Sequence, residues 1–176
     1  MVQKFGYFWG ISGVLLILLF AIYRLAPMAL ALFDTPLGFL HWVSLIFSII
    51  YMAYAEGYKG FHLSFAPRVV TRAQYLTQNP KFIHIVLAPL FCMGYIHSTR
   101  RRQLISFGLA IMIIGFVFLV RLLPQPWRGI LDAGVVVGLT MGCASILYFI
   151  YFATHNLGEI TVSADIPGYD NKLESN

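Results

Sequence analysis

The chain has 176 residues, of which 59% are hydrophobic and 11% are charged, and its formal net charge is +5 at pH 7. Soluble domains hold about 45–50% apolar and about 25% charged residues, so this composition excludes an ordinary water-soluble fold. The basic residues gather in short stretches between apolar runs, which is typical of anchors beside lipid headgroups and leaves no basic face for nucleic acid. The sequence therefore predicts an all-α integral membrane protein.

Apolar segments follow one another along residues 1–153, the predicted transmembrane domain. A helix needs about 20 residues to cross a hydrocarbon core of about 30 Å. The predicted spans are residues 5–23, 37–55, 82–98, 104–120 and 130–152. The apolar run at residues 25–33 contains Pro27 and is too short to span, so it either prolongs the first helix or lies in the interface. Residues 154–176 form a polar, partly flexible tail.

The number of spans depends on residues 82–98, which are short for a crossing and contain Pro89. If this segment crosses, Lys and Arg divide 7 to 5 between the two sides of the membrane, and if it is re-entrant they divide 9 to 3 with both termini cytoplasmic. A re-entrant segment needs a protein cavity, which so small a chain can hardly provide. The prediction is therefore five transmembrane helices, with four plus one re-entrant segment as the alternative.

A basic loop is predicted at residues 57–81, because glycines and prolines interrupt this stretch and its periodicity fits neither helix nor strand. Its apolar residues interleave with cations, the mixture expected of a strip that lies on anionic headgroups or docks a partner. An arginine triplet precedes the fourth span. The candidate docking residues are Lys59, Arg68, Arg72, Arg100, Arg101 and Arg102.

Small residues repeat every four positions on the last span, at Gly134, Gly138 and Gly142. In lipid, close approach of two backbones at such positions is a main source of contact energy. We expect a helix-packing face here, against either another part of the chain or another subunit. A weaker glycine pattern occurs on the first span.

Charged residues all fall at the ends of the predicted spans or outside them; Glu56 and Lys59, for example, close the second span. The midplane is then free of formal charge, which removes the usual carriers of coupled ion transport. No GxSxG, HExxH, Walker A, GxGxxG or CxxC motif is present, and no catalytic residue or metal site is predicted.

Histidines are the candidate cofactor ligands. His84 and His97 are 13 residues apart, which on one helix turns their rings to nearly opposite sides. With five spans, His41, His97 and His155 emerge at one membrane face, where three imidazoles can ligate a haem, a pigment or a metal. Interfacial histidines are also ordinary, so this cluster is an alternative interpretation.

The leading functional hypothesis is a non-catalytic membrane protein, an accessory, assembly or scaffold subunit of a larger membrane complex or a self-associating protein. It packs through the glycine face and docks through the basic loop. The alternatives are a small haem-, pigment- or metal-binding redox protein, and a carrier of a neutral or lipid-like substrate, which requires a polar cavity between the spans.

Overall fold

The computed structural model describes residues 2–78, 82–155 and 165–166, and this part of the chain is helical with no strand. Its helices are α1 (Val2–Leu30), α2 (Phe39–Met52), α3 (Ala66–Gln78), α4 (Phe82–Val86), α5 (Ala88–Cys92), α6 (Arg100–Arg121) and α7 (Trp127–Thr154). A 3-10 turn, Ala31–Asp34, follows α1, and a π-helix, Ala53–Phe65, joins α2 to α3. Among the described residues, four helical segments are long and apolar enough to cross a membrane: Phe5–Asp34, Phe39–Gln78, Arg100–Arg121 and Trp127–Thr154.

The apolar run at residues 25–33 prolongs the first helix, as one of the two sequence-based alternatives states. α1 continues through Pro27 to Leu30 and then tightens into the 3-10 turn. Thr35 closes this turn, since its hydroxyl donates a hydrogen bond to the carbonyl oxygen of Leu32 at 3.0 Å. Helix and turn together account for the whole run up to Asp34.

The prediction of a loop at residues 57–81 is wrong as far as residue 78, because α2, the π-helix and α3 form one continuous helix of 40 residues. Residues 79–81 lie outside the described part of the chain. Tertiary packing explains the difference: Gly57 sits directly on α7, where an added Cβ would lie 2.7 Å from the sulfur of Met141. A glycine that resembles a turn signal is thus a point of close helix contact.

Residues 82–98, called the hairpin below, do not form the continuous span that was predicted. Helices α4 and α5 have five residues each, about 8 Å, which is too short to cross a bilayer. Gly94, with φ of +86°, then reverses the chain. The ring of His97 returns to 4.9 Å from the ring of His84, so the hairpin begins and ends at the same place.

Glycines on α1 make the room for the hairpin. A Cβ on Gly10 would lie 2.8 Å from the sulfur of Cys92, and a Cβ on Gly13 would collide with the ring of Pro89. The weaker glycine pattern of the first span therefore provides the surface of α1 against which the hairpin packs. α1 thus offers a backbone surface to one side of the hairpin, while Ile83 and Val86 of the hairpin remain exposed.

Two ends of the bundle can be defined from these contacts. The arginine end is where the hairpin opens and α6 starts with Arg100, and the loop end is where the 3-10 turn meets the start of α7. Gly129 of α7 packs on Leu32 at the loop end, whereas Gly6 of α1 lies beside Leu76 of α3 at the arginine end. α1 therefore runs antiparallel to the long α2–α3 helix and to α7.

The core lies between α1, α3, the hairpin and α7. Its fully buried side chains include Val14, Val69, Leu76, Phe91 and Ile146. Two residues of the predicted flexible tail join the folded part: Ile166 is 1% exposed, and the carboxylate of Asp165 pairs with Arg68 at 3.2 Å. The remainder of that tail, residues 156–164 and 167–176, lies outside the described part.

Candidate functional site

The small-residue face of α7 packs inside the chain. A Cβ on Gly134 would collide with the hydroxyl of Ser48, and a Cβ on Gly142 would lie 2.7 Å from the ring of Phe61. Between them, a Cβ on Gly138 would touch the side chain of Glu56 at 3.4 Å. Of the two partners that the sequence allowed, the long α2–α3 helix of the same chain covers these glycines.

The π-helix keeps the two helices in register. The ridge that faces the glycines consists of Ser48, Met52, Glu56 and Phe61, at intervals of four, four and five residues. A π-helix repeats its hydrogen bonds every five residues, whereas an α-helix repeats them every four. The last interval lengthens where the helix changes type, so the ridge continues to face α7.

Glu56 lies in the middle of this packed pair, and the helix does not end beside it as predicted but continues to Gln78. Its Oε2 atom is 3.5 Å from the position that a Cβ on Gly138 would take. Gly138 is the twelfth of the 28 residues of α7, about 4 Å from the midpoint of that helix. Within the described chain, no hydrogen bond or ion pair reaches the carboxylate of Glu56.

A second polar contact lies further along the π-helix. His62 Nδ1 is 3.3 Å from the hydroxyl oxygen of Ser145, a side chain only 7% exposed. The imidazole of His62 also lies against the aromatic rings of Tyr58, Tyr148 and Phe149, at 5.8, 5.5 and 5.3 Å. This contact ties the π-helix to α7 on the arginine-end side of Glu56.

Arg72 is fully buried, at 0% exposure, and does not lie on a docking surface as predicted. Its Nε donates to the carbonyl oxygen of Phe91 at 2.6 Å, and its Nη2 donates to the carbonyl oxygens of Ile96 and His97 at 2.7 and 3.2 Å. The carbonyls at the end of a helix have no partner within that helix. Arg72 therefore donates hydrogen bonds to the end of α5 and to the segment of the hairpin that follows Gly94.

The three candidate cofactor histidines do not meet. His41 accepts a hydrogen bond from the backbone N–H of Gly38 at 3.2 Å, which caps α2, and its ring contacts Trp127 at the start of α7. His155 directly follows the last residue of α7, about 42 Å away along that helix. A shared site for His41, His97 and His155 is therefore excluded by geometry.

His84 and His97 do come together, contrary to the helical-wheel expectation. Their ring centroids are 4.9 Å apart, and both rings lie against Phe91. The expectation assumed one continuous helix, and the hairpin breaks that helix. Across the described residues, no group of three or more His, Cys, Asp or Glu side chains is placed to hold a metal ion.

The other basic docking candidates occupy different surroundings. Arg100 and Arg101 are exposed at the start of α6, while Arg102 and Arg68 are half-buried. Lys59 is exposed near the middle of the long helix, where its ammonium group lies 5.0 Å from the centre of the Tyr54 ring. Only the start of α6 thus forms the exposed basic patch that the sequence predicts.

α6 is the helix with the least support from the rest of the chain. Ser106 and Val120 are its only buried residues, and between them every residue except Ala110 is exposed. No described residue lies within 4 Å of a Cβ placed on Gly108 or Gly115. The sequence predicts a membrane span at α6, but it does not predict that this helix makes so few contacts with the others.

A cavity of about 220 Å³ lies near the loop end, between α1, α2 and α7. Its surface is wholly apolar, with Leu32, Trp42, Leu45 and Val137 among the lining residues. It is not the polar cavity between the spans that the hypothesis of a carrier for a neutral or lipid-like substrate requires.

No protein-family model matches this chain, and no curated protein or solved structure shows significant similarity to it.

Proposed function

We propose that this chain is a non-catalytic integral membrane protein that acts as a subunit of a larger membrane complex, with four spans and a re-entrant hairpin. The four spans are the long apolar segments, and the hairpin enters from the arginine end. In this arrangement α6 is the surface on which a transmembrane helix of another subunit docks. The observation that supports docking is the bare outer face of α6, which holds Gly108 and Gly115.

The two glycines are placed for helix packing. They are seven residues apart, so they lie on one face of α6 with an offset of about 20°. Ser106 and Val120, the buried residues of α6, lie on roughly the opposite face. The glycines therefore face away from the chain, where small residues allow another backbone to approach closely.

The apolar character of α6 defines the partner. No charged residue occurs between Arg102 and Arg121, and the exposed side chains of that stretch are aliphatic or aromatic, apart from the thioether of Met112. Such a surface fits an apolar transmembrane helix and not a soluble domain. The long α2–α3 helix already covers the glycine face of α7. We therefore propose α6, and not that face or the predicted basic loop, as the surface that contacts another subunit.

Site-specific photocrosslinking in native membranes tests this proposal. A photoreactive amino acid at Met112 lies on the glycine face, and one at Val117 lies on the opposite face as the matched control. We expect a discrete protein adduct from position 112 that position 117 does not form, and its loss in the double variant Gly108→Leu with Gly115→Leu. Ile113→Leu with Val117→Leu should retain it.

The mass of the adduct identifies the occupant. An adduct larger than this chain by the mass of a different protein supports the subunit proposal. Lipid adducts alone at position 112, or an adduct of twice the mass of this chain, would overturn it; the latter means that α6 pairs with a second copy.

A further inference from the structure

Glu56 is an acidic residue for which the described part of the chain provides no ion-pair partner. Its side chain lies against Gly138 near the midpoint of α7 and near the middle of the 40-residue helix Phe39–Gln78. If the bundle spans a membrane as proposed, this carboxyl lies in the hydrocarbon region. Ionisable groups at that depth are rare and mark sites of function.

The titratable groups on the neighbouring elements are engaged elsewhere. On the π-helix, Lys59 lies over the Tyr54 ring and His62 contacts Ser145. On α7, Asp132 is paired with Arg128 at 3.7 Å, six residues from Gly138, and Cys143 is a half-buried free cysteine. On α2, Tyr51 is exposed on the outside of the helix. None of these groups is an ion-pair partner of Glu56.

The helix geometry keeps Glu56 at this depth. The π-helix starts three residues before it, at Ala53, and continues the ridge past Gly138 and on to Gly142. Segments of π-helix are rare and often occur at functional sites. The missing side chain at Gly138 leaves the space into which the carboxyl group points, 3.5 Å from the Cβ position.

We propose that Glu56 is a proton-binding site between the long helix and α7, near the middle of both helices. The carboxylate takes up one proton to become a neutral carboxylic acid and releases it again, with no counter-charge among the described residues. An apolar environment favours the neutral form of an unpaired carboxyl group, and protonation needs no further ligand. This site rests on the membrane-spanning part of the proposed function, and it does not depend on the docking of α6.

A hydrophobic carbodiimide provides the test, because it reacts with protonated carboxyl groups from the lipid phase. The acid proton moves to a carbodiimide nitrogen, the carboxyl oxygen bonds to the central carbon, and rearrangement leaves a stable acylurea. Mass spectrometry of the full chain in lipid vesicles should show one adduct on Glu56. The adduct should be absent in Glu56→Gln and retained in Asp132→Asn, the matched change at a buried carboxyl group.

Two further readouts make the result decisive. The labelling rate should fall about tenfold for each pH unit above the titration midpoint of the carboxyl group. A water-soluble carbodiimide should leave Glu56 unlabelled while it labels Asp34. The infrared C=O band of a protonated carboxylic acid in the unmodified chain should disappear at high pH, which requires no variant.

The proposal is overturned if Glu56 remains unlabelled in vesicle-embedded protein, if both carbodiimides label it equally, or if the labelling rate does not depend on pH. Resistance to alkaline carbonate extraction shows independently that the chain is embedded. An embedded chain with an unreactive Glu56 thus refutes the proton site and leaves the subunit proposal untouched, whereas an extracted chain refutes the membrane arrangement itself.

Discussion

The guanidinium group of Arg72 binds Phe91 in two ways, since its Nε donates to the Phe91 carbonyl oxygen at 2.6 Å and its carbon lies 4.4 Å from the centre of the Phe91 ring. The first contact satisfies a carbonyl at the end of α5, and the second is a cation–π interaction. Arg72 belongs to α3 and Phe91 to the hairpin. One side chain therefore fastens the hairpin to the long helix.

Replacing Arg72 should release the hairpin. Arg72→Leu removes these donors from the carbonyl oxygens of Ile96 and His97, whereas the carbonyl oxygen of Phe91 still accepts from the N–H of Gly94 at 3.0 Å. An unsatisfied buried polar group costs about 1–3 kcal/mol, so we expect a loss of about 2 kcal/mol or more in unfolding free energy. Cys92, now 1% exposed, should then react with maleimide in a Cys143→Ser background.

Arg101→Leu is the control for this change, because Arg101 is exposed. Arg72→Lys should give an intermediate result, since a single ammonium group retains the charge but cannot reproduce the planar fork of donors. Equal maleimide protection of Cys92 in Arg72→Leu and Arg101→Leu would show that Arg72 does not hold the hairpin.

The change in unfolding free energy on replacing a glycine by alanine should depend on how closely other residues pack against that glycine. Gly134→Ala forces a Cβ into Ser48 and should cost about 1–3 kcal/mol of unfolding free energy. Gly138→Ala makes only ordinary contacts, the nearest at 3.4 Å, and should cost less. Gly108→Ala meets nothing within 4 Å, and the higher helix propensity of alanine should leave stability unchanged or raise it by up to about 1 kcal/mol.

Thermal unfolding in one mild detergent measures this series. The expected order of stability is Gly108→Ala first, then Gly138→Ala, then Gly134→Ala. If Gly134→Ala unfolds at the same temperature as Gly108→Ala, Gly134 of α7 does not pack closely against Ser48 of α2.

The contact between His62 and Ser145 should appear as a coupling energy. A double-mutant cycle of His62→Ala and Ser145→Ala isolates it from the other effects of each change. We expect a coupling of about 0.5–1.5 kcal/mol, the usual net value of one hydrogen bond. Thr140→Ala is the control, because the hydroxyl of Thr140 bonds to Val136 of its own helix. A coupling no larger than that of the Thr140 cycle would contradict the contact.

Hydropathy is enough to find the four long helices, because each contains an apolar stretch long enough to cross a membrane. It does not find the continuation of α2 into α3. This continuation depends on contacts between residues far apart in the sequence, those of Gly57 with Met141 and of Arg72 with the hairpin. Such contacts cannot be predicted from the composition of the segment itself. The buried face of α3 does show a helical spacing, at Val69, Ala73 and Leu76, but the interleaved cations obscure it.

The position of Glu56 shows the same limit for the candidate site. A carboxylate followed by a glycine and a lysine at i+3 resembles the end of a span, and the interface is the usual place for such a group. Its depth depends on the helix continuing beyond it, which is a property of packing. The two histidines of the hairpin are a further example. A continuous helix would place His84 and His97 on nearly opposite sides, but the turn at Gly94 brings their rings into contact.

The number of spans can be tested by finding from which side of the membrane an impermeant maleimide labels thiols introduced at three positions. With four spans and a re-entrant hairpin, residues 3 and 155 share the arginine end, and residue 125 lies at the loop end. With five spans, residues 3 and 125 share a side and residue 155 lies opposite. Thiols introduced by Gln3→Cys, Gln125→Cys and His155→Cys therefore distinguish the two arrangements through an impermeant maleimide.

We expect the thiols at positions 3 and 155 to react in inverted vesicles, and the thiol at position 125 to react in intact cells. The reason is that Arg100 and Arg101 are exposed at the arginine end, and clustered cations remain on the cytoplasmic side. The unmodified chain is the blank, since Cys92 is buried and Cys143 is half-buried. If positions 3 and 125 react from one side and position 155 from the other, residues 82–98 cross the membrane. The hairpin, the four-span arrangement and the depth assigned to Glu56 would then all have to be revised.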